Sequence, residues 1–265
     1  LVEQFENAIA EKVGASYAVA VTSGTAALHL ACLAAGAGPE THGLTSAMTF
    51  VATPNALAYC GSSIGLCDID EHTLGVSAKG VQAALKNRPN TKIIMPVHFA
   101  GLAADSKAIR ETVGNDRVII EDAAHSFGAT YSCGRPVGCG AYADMSIFSF
   151  HPVKPITTAE GGAIVTNNTN FAHQLKVLRT HGIERDTELM SDQKAAYENG
   201  KACPWYYEQQ FLGLNYRMTD IQAALGLSQL KKLDQFISRR RNIAKKYDAA
   251  FSNLKNISRP QLDSE

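Results

Sequence analysis

Ser149-Phe150-His151-Pro152-Val153-Lys154-Pro155 sets a single amine between two prolines, directly after the apolar run from Met145 to Phe150 and just before Gly161-Gly162. Pro152 fixes its own φ and Pro155 disfavours helical geometry at Lys154, so the pattern predicts a stiff, extended mounting for that side chain. A lysine that forms a Schiff base needs such a mounting, because its amine must meet one carbonyl carbon repeatedly at bonding distance. In isolation, a solvated loop lysine between turn prolines reads the same way.

Three further segments bear on that choice. Ala18 to Val21 runs through Thr22-Ser23-Gly24-Thr25 into the Ala- and Leu-rich stretch from Ala26 to Leu30. This is a strand, a tight turn and a helix start, whose free N–H groups and dipole suit a phosphate. No Walker loop or dinucleotide fingerprint is present, and hydroxyl residues also cap helices with no ligand in view. Val118-Ile119-Ile120 ends in Glu121-Asp122, with His125 close behind. A carboxylate at the C-terminal end of a buried strand lies where open α/β sheets place ligand groups, and could pair with a protonated ring nitrogen. The plain alternative is an Asp that caps the next turn. Asn215-Tyr216-Arg217 precedes Thr219-Asp220, where a long helix begins, and is either a basic functional loop or an ordinary loop with its cap.

Together these segments offer a phosphate cradle, a partner for a heterocyclic nitrogen, a constrained lysine and a basic loop. That set suits pyridoxal phosphate. At this point the chain resembles the nucleotide-sugar aminotransferases of the DegT/DnrJ/EryC1/StrS family, within the fold-type-I pyridoxal-phosphate enzymes. The matching pieces are Ser23 to Leu28, Thr49-Phe50-Val51-Ala52-Thr53, Pro96 to Gly101, Glu121 to Ser126, Ser149 to Lys154, Glu160-Gly161-Gly162 and Asn215-Tyr216-Arg217, spread over nearly the whole chain.

The resemblance implies roles for individual residues. Lys154 would bind the cofactor covalently and Asp122 would pair with its ring nitrogen. Thr25 and Ala26 would hold the phosphate through the helix start, with Ser149 adding a hydroxyl. Phe50 would stack on the ring, with His125 beside it; ordinary core packing and a satisfied polar residue are the structural alternatives for these two. Asn215, and with it Arg217, would reach the neighbouring subunit's site in a homodimer. The reaction implied is transamination from an amino acid, glutamate by resemblance, to a UDP-linked keto sugar. The lysine at position 154 argues against the dehydratase branch, which carries histidine there.

Within the family, His151 to Lys154 with Ile156-Thr157-Thr158, and Pro204 to Glu208 before Leu212-Gly213, look most like the pseudaminic-acid branch. Its enzymes aminate C4 of a 4-keto-6-deoxy-2-acetamido hexose. The 4-keto-pentose enzymes of the 4-amino-arabinose pathway are the second reading. A truncated, non-catalytic protein of the same fold, binding a nucleotide sugar or a partner, is the third.

The elements that must position these residues alternate along the chain. Val2, Phe5, Ile9 and Val13 predict an amphipathic first helix. Strands are expected near 17–21, 63–68, 92–96 and 117–120, with helices near 24–36, 49–60, 77–87 and 103–114. This alternation implies an α/β fold with a mostly parallel sheet covered by helices on both faces. Glycine-rich hairpins and strands surround the lysine over 126–167, and helices return at 169–181 and from 219. Gly43 and its polar neighbours weaken any strand near 41–46, and the polar stretch 185–204 predicts a loop or disorder. We expect a cofactor-binding large domain over 1–217, then a helical segment over 218–265 leading to a largely missing small domain.

Composition is permissive rather than specific. The 265 residues suit one sizeable core, and 25 basic against 25 acidic residues favour neither nucleic acid nor an acidic membrane surface. The apolar runs are too short to span a bilayer, and the start does not read as a signal peptide. Six scattered cysteines lack metal spacing and read as reduced cytoplasmic thiols.

Overall fold

A computed structural model of the chain describes residues 1–254 and 256. Helix α1 (Val2–Val13) buries Phe5, Ile9 and Val13 and stops at Gly14, whose φ of 74° suits glycine. The chain then alternates through β1 (Tyr17–Val21), α2 (Gly24–Ala34), β2 (His42–Ser46), α3 (Ala52–Tyr59), β3 (Ser63–Cys67), α4 (Ala78–Asn87), β4 (Ile93–Met95), α5 (Ser106–Val113) and β5 (Val118–Asp122). Strands β6 (Met145–Ser149) and β7 (Gly162–Thr166) flank the lysine loop. After them come α6 (Thr169–Arg179), the single turn α7 (Gln193–Ala196), α8 (Asp220–Leu230) and α9 (Leu233–Phe251).

The seven strands form one sheet in the order β1-β7-β6-β5-β4-β2-β3. Pairing is parallel from β3 across to β6, and β7 runs antiparallel to both β6 and β1. Side-chain alternation sorts the strands onto two faces. Val19, Val21, Ile120, Ile147 and Ile164 pack with Leu28, Leu30 and Leu57 of α2 and α3. Ala18, Ala20, Phe148, Ala163 and Val165 pack with Phe5 and Ile9 of α1 on the opposite face. The same parity sends Asp122 towards α2 and α3, and Glu121 away from them.

Two expectations need correction. Residues 42–46 are an inner strand, β2, paired on both sides. A Cβ at Gly43 would collide with Leu57 of α3, so glycine there permits close helix–sheet packing rather than weakening the strand. The polar neighbours find partners: Thr45 Oγ1 donates to the Met95 carbonyl (3.0 Å), and His42 Nδ1 meets Thr91 Oγ1 (2.8 Å).

Residues 185–204 are also ordered. They hold a 3-10 turn (Thr187–Leu189), α7 and a small hairpin pairing Tyr197–Glu198 with Lys201–Ala202. Side-chain carboxylates do there what a large apolar core does elsewhere. Asp192 accepts the Lys194 and Ala195 N–H groups, and Glu208 accepts those of Ser191 and Asp192. Helix α8 lies on α1, where the Phe5 ring leaves no room for a Cβ at Gly226, and Lys12 Nζ pairs with Asp234 Oδ1 at 2.8 Å. Of the expected 218–265 segment, residue 255 and residues 257–265 lie outside the described residues. Among the described residues, no helix is long and apolar enough to cross a membrane, and no side-chain cluster could hold a metal ion.

Candidate active site

Helix α2 begins immediately after β1, and Ser23 is its N-cap: the Ser23 hydroxyl accepts the Ala26 N–H at 3.1 Å. Ala26, expected to serve a phosphate, therefore spends its amide on the cap. Gly24 and Thr25 stand at the open end, where helix geometry leaves N–H groups without intrahelical partners. Ser149, at the end of β6, lies against this terminus. A Cβ on Gly24 would come within 2.8 Å of Ser149 Cβ and 3.1 Å of its Oγ. Gly162, opposite Ser149 in the β6–β7 pairing, is equally constrained, because a Cβ there would enter the Ser23 carbonyl. Two glycines thus bring a helix N-terminus, a hydroxyl and two amides without partners among the described residues close together, which is the donor chemistry a phosphate requires.

The lysine loop leaves the sheet beside this spot. It is a turn rather than the extended connection expected: the Lys154 N–H donates to the His151 carbonyl at 2.9 Å, with Pro152 at the second position of the turn. The Phe150 N–H to Gly161 carbonyl bond (2.8 Å) and the Thr158 N–H to Phe150 carbonyl bond (2.9 Å) close its base. Phe150 itself is buried between Phe5 and Phe127, which anchors the loop in the core. Arg240 of α9 donates to the Lys154 carbonyl from outside, at 3.3 Å.

Lys154 is half-buried, and its amine titrates below the usual lysine range because burial outweighs the pull of Asp122. His125 is exposed overall yet also titrates low, first through partial burial and then through the Lys154 charge, with Asp122 opposing both. These shifts place Lys154, His125 and Asp122 in one another's electrostatic field.

Asp122 is buried, with 6 % of its surface exposed. Its Oδ1 accepts the Ala124 N–H at 3.1 Å, and its Oδ2 accepts the Thr53 hydroxyl at 2.6 Å. Thr53 belongs to the same short segment as Phe50, which is 71 % exposed. An aromatic ring left so open beside a charged site has a face free for stacking, and the core-packing alternative is excluded. Sequence reasoning did not give Thr53 a role of its own; the signal was present in the spacing of Thr49 and Thr53 at one helical turn.

Asn215 and Arg217 are exposed on a segment that continues the sheet edge. Asn215 bridges to Thr180, Arg217 to Val21, and the Tyr216 carbonyl accepts the Thr22 N–H at 3.0 Å. Their backbone thus borders the phosphate cradle of their own chain. Among the described residues, no side-chain hydrogen bond ties either one to Lys154, Asp122 or Ser149.

The model of the DegT/DnrJ/EryC1/StrS aminotransferase family matches residues 1–265. The chain belongs to this family. As a family member, it is 39% identical over 264 residues to the spore coat polysaccharide biosynthesis protein SpsC of Bacillus subtilis strain 168, covering 98% of this chain and 64% of that one. The chain thus spans just under two thirds of the curated relative's length. Helicobacter pylori PseC, an aminotransferase involved in the biosynthesis of pseudoaminic acid, superposes with a TM-score of 0.82 at 30% identity, over 96% of this chain and 63% of that one. Spr1654 of Streptococcus pneumoniae in its PLP-form superposes at 0.81 with 28% identity, over 95% of this chain and 64% of that one. Members of the DegT family use pyridoxal phosphate, and the residues of this chain fit it: two free amides and a hydroxyl for a phosphate, a buried carboxylate for a ring nitrogen and a half-buried amine.

Proposed function

We propose that the protein transfers an amino group from an amino acid, glutamate being the expected donor, to the C4 ketone of a UDP-linked 4-keto-6-deoxy-2-acetamido sugar. The observation that carries this reading is the mutual field of Lys154, His125 and Asp122, set beside the Ser149–Gly24 cradle. The choice of sugar is supported by the lysine-loop and Trp205-Tyr206-Tyr207 patterns and by the likeness to PseC.

Bound pyridoxal phosphate supplies an electron sink that lets an amino group leave an amino acid and join a ketone. In this reading Lys154 holds the cofactor covalently and, once freed, moves a proton on and off the α-carbon of the amino donor. Its depressed titration favours that work, since the neutral amine is the form that takes up the proton. Asp122 keeps a proton at the ring nitrogen, and its burial strengthens that pairing. Thr25, with Gly24 and Ser149, orients the phosphate. Ala26 takes part through the helix terminus as a whole rather than through a free amide. Phe50 would cover one ring face, and His125 would lie on the other face or at the edge.

Residues 1–217 form the cofactor-binding unit in this proposal, with α8 and α9 packed upon it. The active form in this reading is a cytoplasmic homodimer in which Asn215 and Arg217 complete the neighbour's site. The decisive assay presents the full chain with glutamate and a panel of UDP-linked 4-keto sugars and follows 2-oxoglutarate release. Turnover is expected with the 2-acetamido-6-deoxy hexose. Preference for a keto-pentose would move the substrate, and no turnover with any sugar would reject the activity.

A further inference from the structure

Thr53 is fully buried in the first turn of α3, and its hydroxyl has two neighbours: Asp122 Oδ2 at 2.6 Å and Thr49 Oγ1 at 2.7 Å. A hydroxyl has one proton to give. The carboxylate can only accept, so the Thr53 proton goes to Asp122. The Thr49 hydroxyl has two acceptors in reach, Thr53 Oγ1 at 2.7 Å and the Phe50 carbonyl at 3.3 Å, and the shorter contact takes its proton as a donation from Thr49 to Thr53. All the protons in this chain point towards the carboxylate, and donors aligned in this way strengthen one another.

The chain also has a fixed foothold. The Thr53 N–H donates to the Phe50 carbonyl at 3.1 Å, so the segment that carries the exposed ring at one end grips Asp122 at the other. The Ala124 N–H holds the second carboxylate oxygen. With one donor on each oxygen, the carboxylate cannot rotate freely, and its remaining lone pairs keep one direction.

We infer that Thr53 is a positioning residue of the cofactor site, which, with Thr49 behind it, sets the orientation in which Asp122 meets the ring nitrogen and couples that orientation to the Phe50 segment. This rests on the cofactor reading given above. Thr53 touches neither the substrate nor the reacting atoms and acts through Asp122.

The test uses the full chain reconstituted with pyridoxal phosphate labelled with nitrogen-15 in the ring, comparing wild type with Thr53→Val, Thr53→Ser and Thr49→Val. Three readouts are taken: the ring-nitrogen resonance, the dissociation constant of the cofactor, and the melting temperature of the apoprotein. Valine keeps the volume of threonine and removes only the hydroxyl. Thr53→Val is expected to displace the ring-nitrogen resonance and to weaken cofactor binding about tenfold, the scale of one hydrogen bond to a charged group. Thr53→Ser should restore both, and Thr49→Val should shift the resonance in the same direction by less. A wild-type resonance and affinity in Thr53→Val would overturn the inference, as would a serine variant that behaves like valine. If Thr53→Val does not fold, Thr49→Val, at the half-exposed end of the chain, decides alone, and an unshifted resonance there overturns the coupling. Wild-type protein that binds no cofactor would instead overturn the reading on which the inference stands, and the two failures are thereby distinct.

Discussion

In the proposed reading the chemistry turns on Lys154, and the test of that role is covalent. Borohydride treatment of the cofactor-loaded protein should attach the label irreversibly to Lys154, read by peptide mass spectrometry, and Lys154→Ala should abolish turnover while leaving the Gly24–Thr25 cradle able to bind. Label on another lysine would sink the assignment. Asp122→Asn should leave the fold intact and lower kcat by several orders of magnitude, because the charge that holds the ring proton is gone.

Glu121 faces the other way and does a different job. Fully buried, it accepts the Tyr131 hydroxyl at 2.8 Å and the Ser146 hydroxyl at 2.5 Å, and it faces His98 Nε2 at 3.4 Å. His98 Nδ1 accepts the Ala104 N–H, so the proton of its ring sits on Nε2, towards the carboxylate. Burial pushes the Glu121 carboxyl up, but His98, Ser106 and Ser146 outweigh it, and the net is below the usual glutamate range. A carboxylate held down in the fold contributes stability that is present above its unfolded value and is lost as pH falls through the folded one. Glu121→Gln should therefore cost about 1–3 kcal/mol at neutral pH, because the amide nitrogen cannot accept from the buried hydroxyls, and flatten the acid side of the stability profile, measured by urea unfolding from pH 7 to 3. An unchanged profile would show that the carboxylate gives no such linkage.

At the scale of elements, the start of α2 is a structural cap that the proposed function also makes a phosphate site. Ser23→Ala removes the acceptor of the Ala26 N–H and should cost about 1 kcal/mol of stability. The 185–211 region is held by carboxylate–backbone bonds instead of a large core, and the Ser191 and Asp192 N–H groups push the Glu208 carboxyl down to about 2. The hairpin after β5 carries the thiol most open to reaction. Cys133 is exposed and titrates low, first through its hydrogen bond with Tyr142 (3.4 Å), whereas burial pushes Cys60 and Cys67 up to about 11. Brief alkylation at pH 7.5 followed by mass spectrometry should modify Cys133 ahead of those two. Equal labelling would contradict the environments described.

The whole molecule enters through assembly. Asn215 and Arg217 show exposed side chains on a segment anchored to β1 by its backbone, as a loop that serves a neighbour would require. Mixing inactive Lys154→Ala with inactive Asn215→Ala tests this. One site of a mixed dimer inherits both defects and the other neither, so random exchange should restore about a quarter of wild-type activity. No recovery despite demonstrated exchange would assign Asn215 to its own subunit's site or to none.

What the sequence determined by itself was local. Ser23 before an Ala-rich helix and the apolar runs of the strands act over a few residues, and each landed close to where its pattern placed it. Where a partner lies far along the chain, the same signals fell short. The shape of the Lys154 loop depended on a main-chain bond to His151 and on closure against Gly161, and Gly43 looked like a weak strand until Leu57 of α3 arrived against it. Polar residues of 185–204 looked unstructured because carboxylates, which periodicity does not register, replace an apolar core there. Thr53 and Asp122 are 69 positions apart, and their meeting depends on the sheet order that seats α3 over the end of β5. Local propensity carries the φ, ψ and capping preferences of a segment, while the partner of a buried polar group is settled only when strand order and register bring distant segments together.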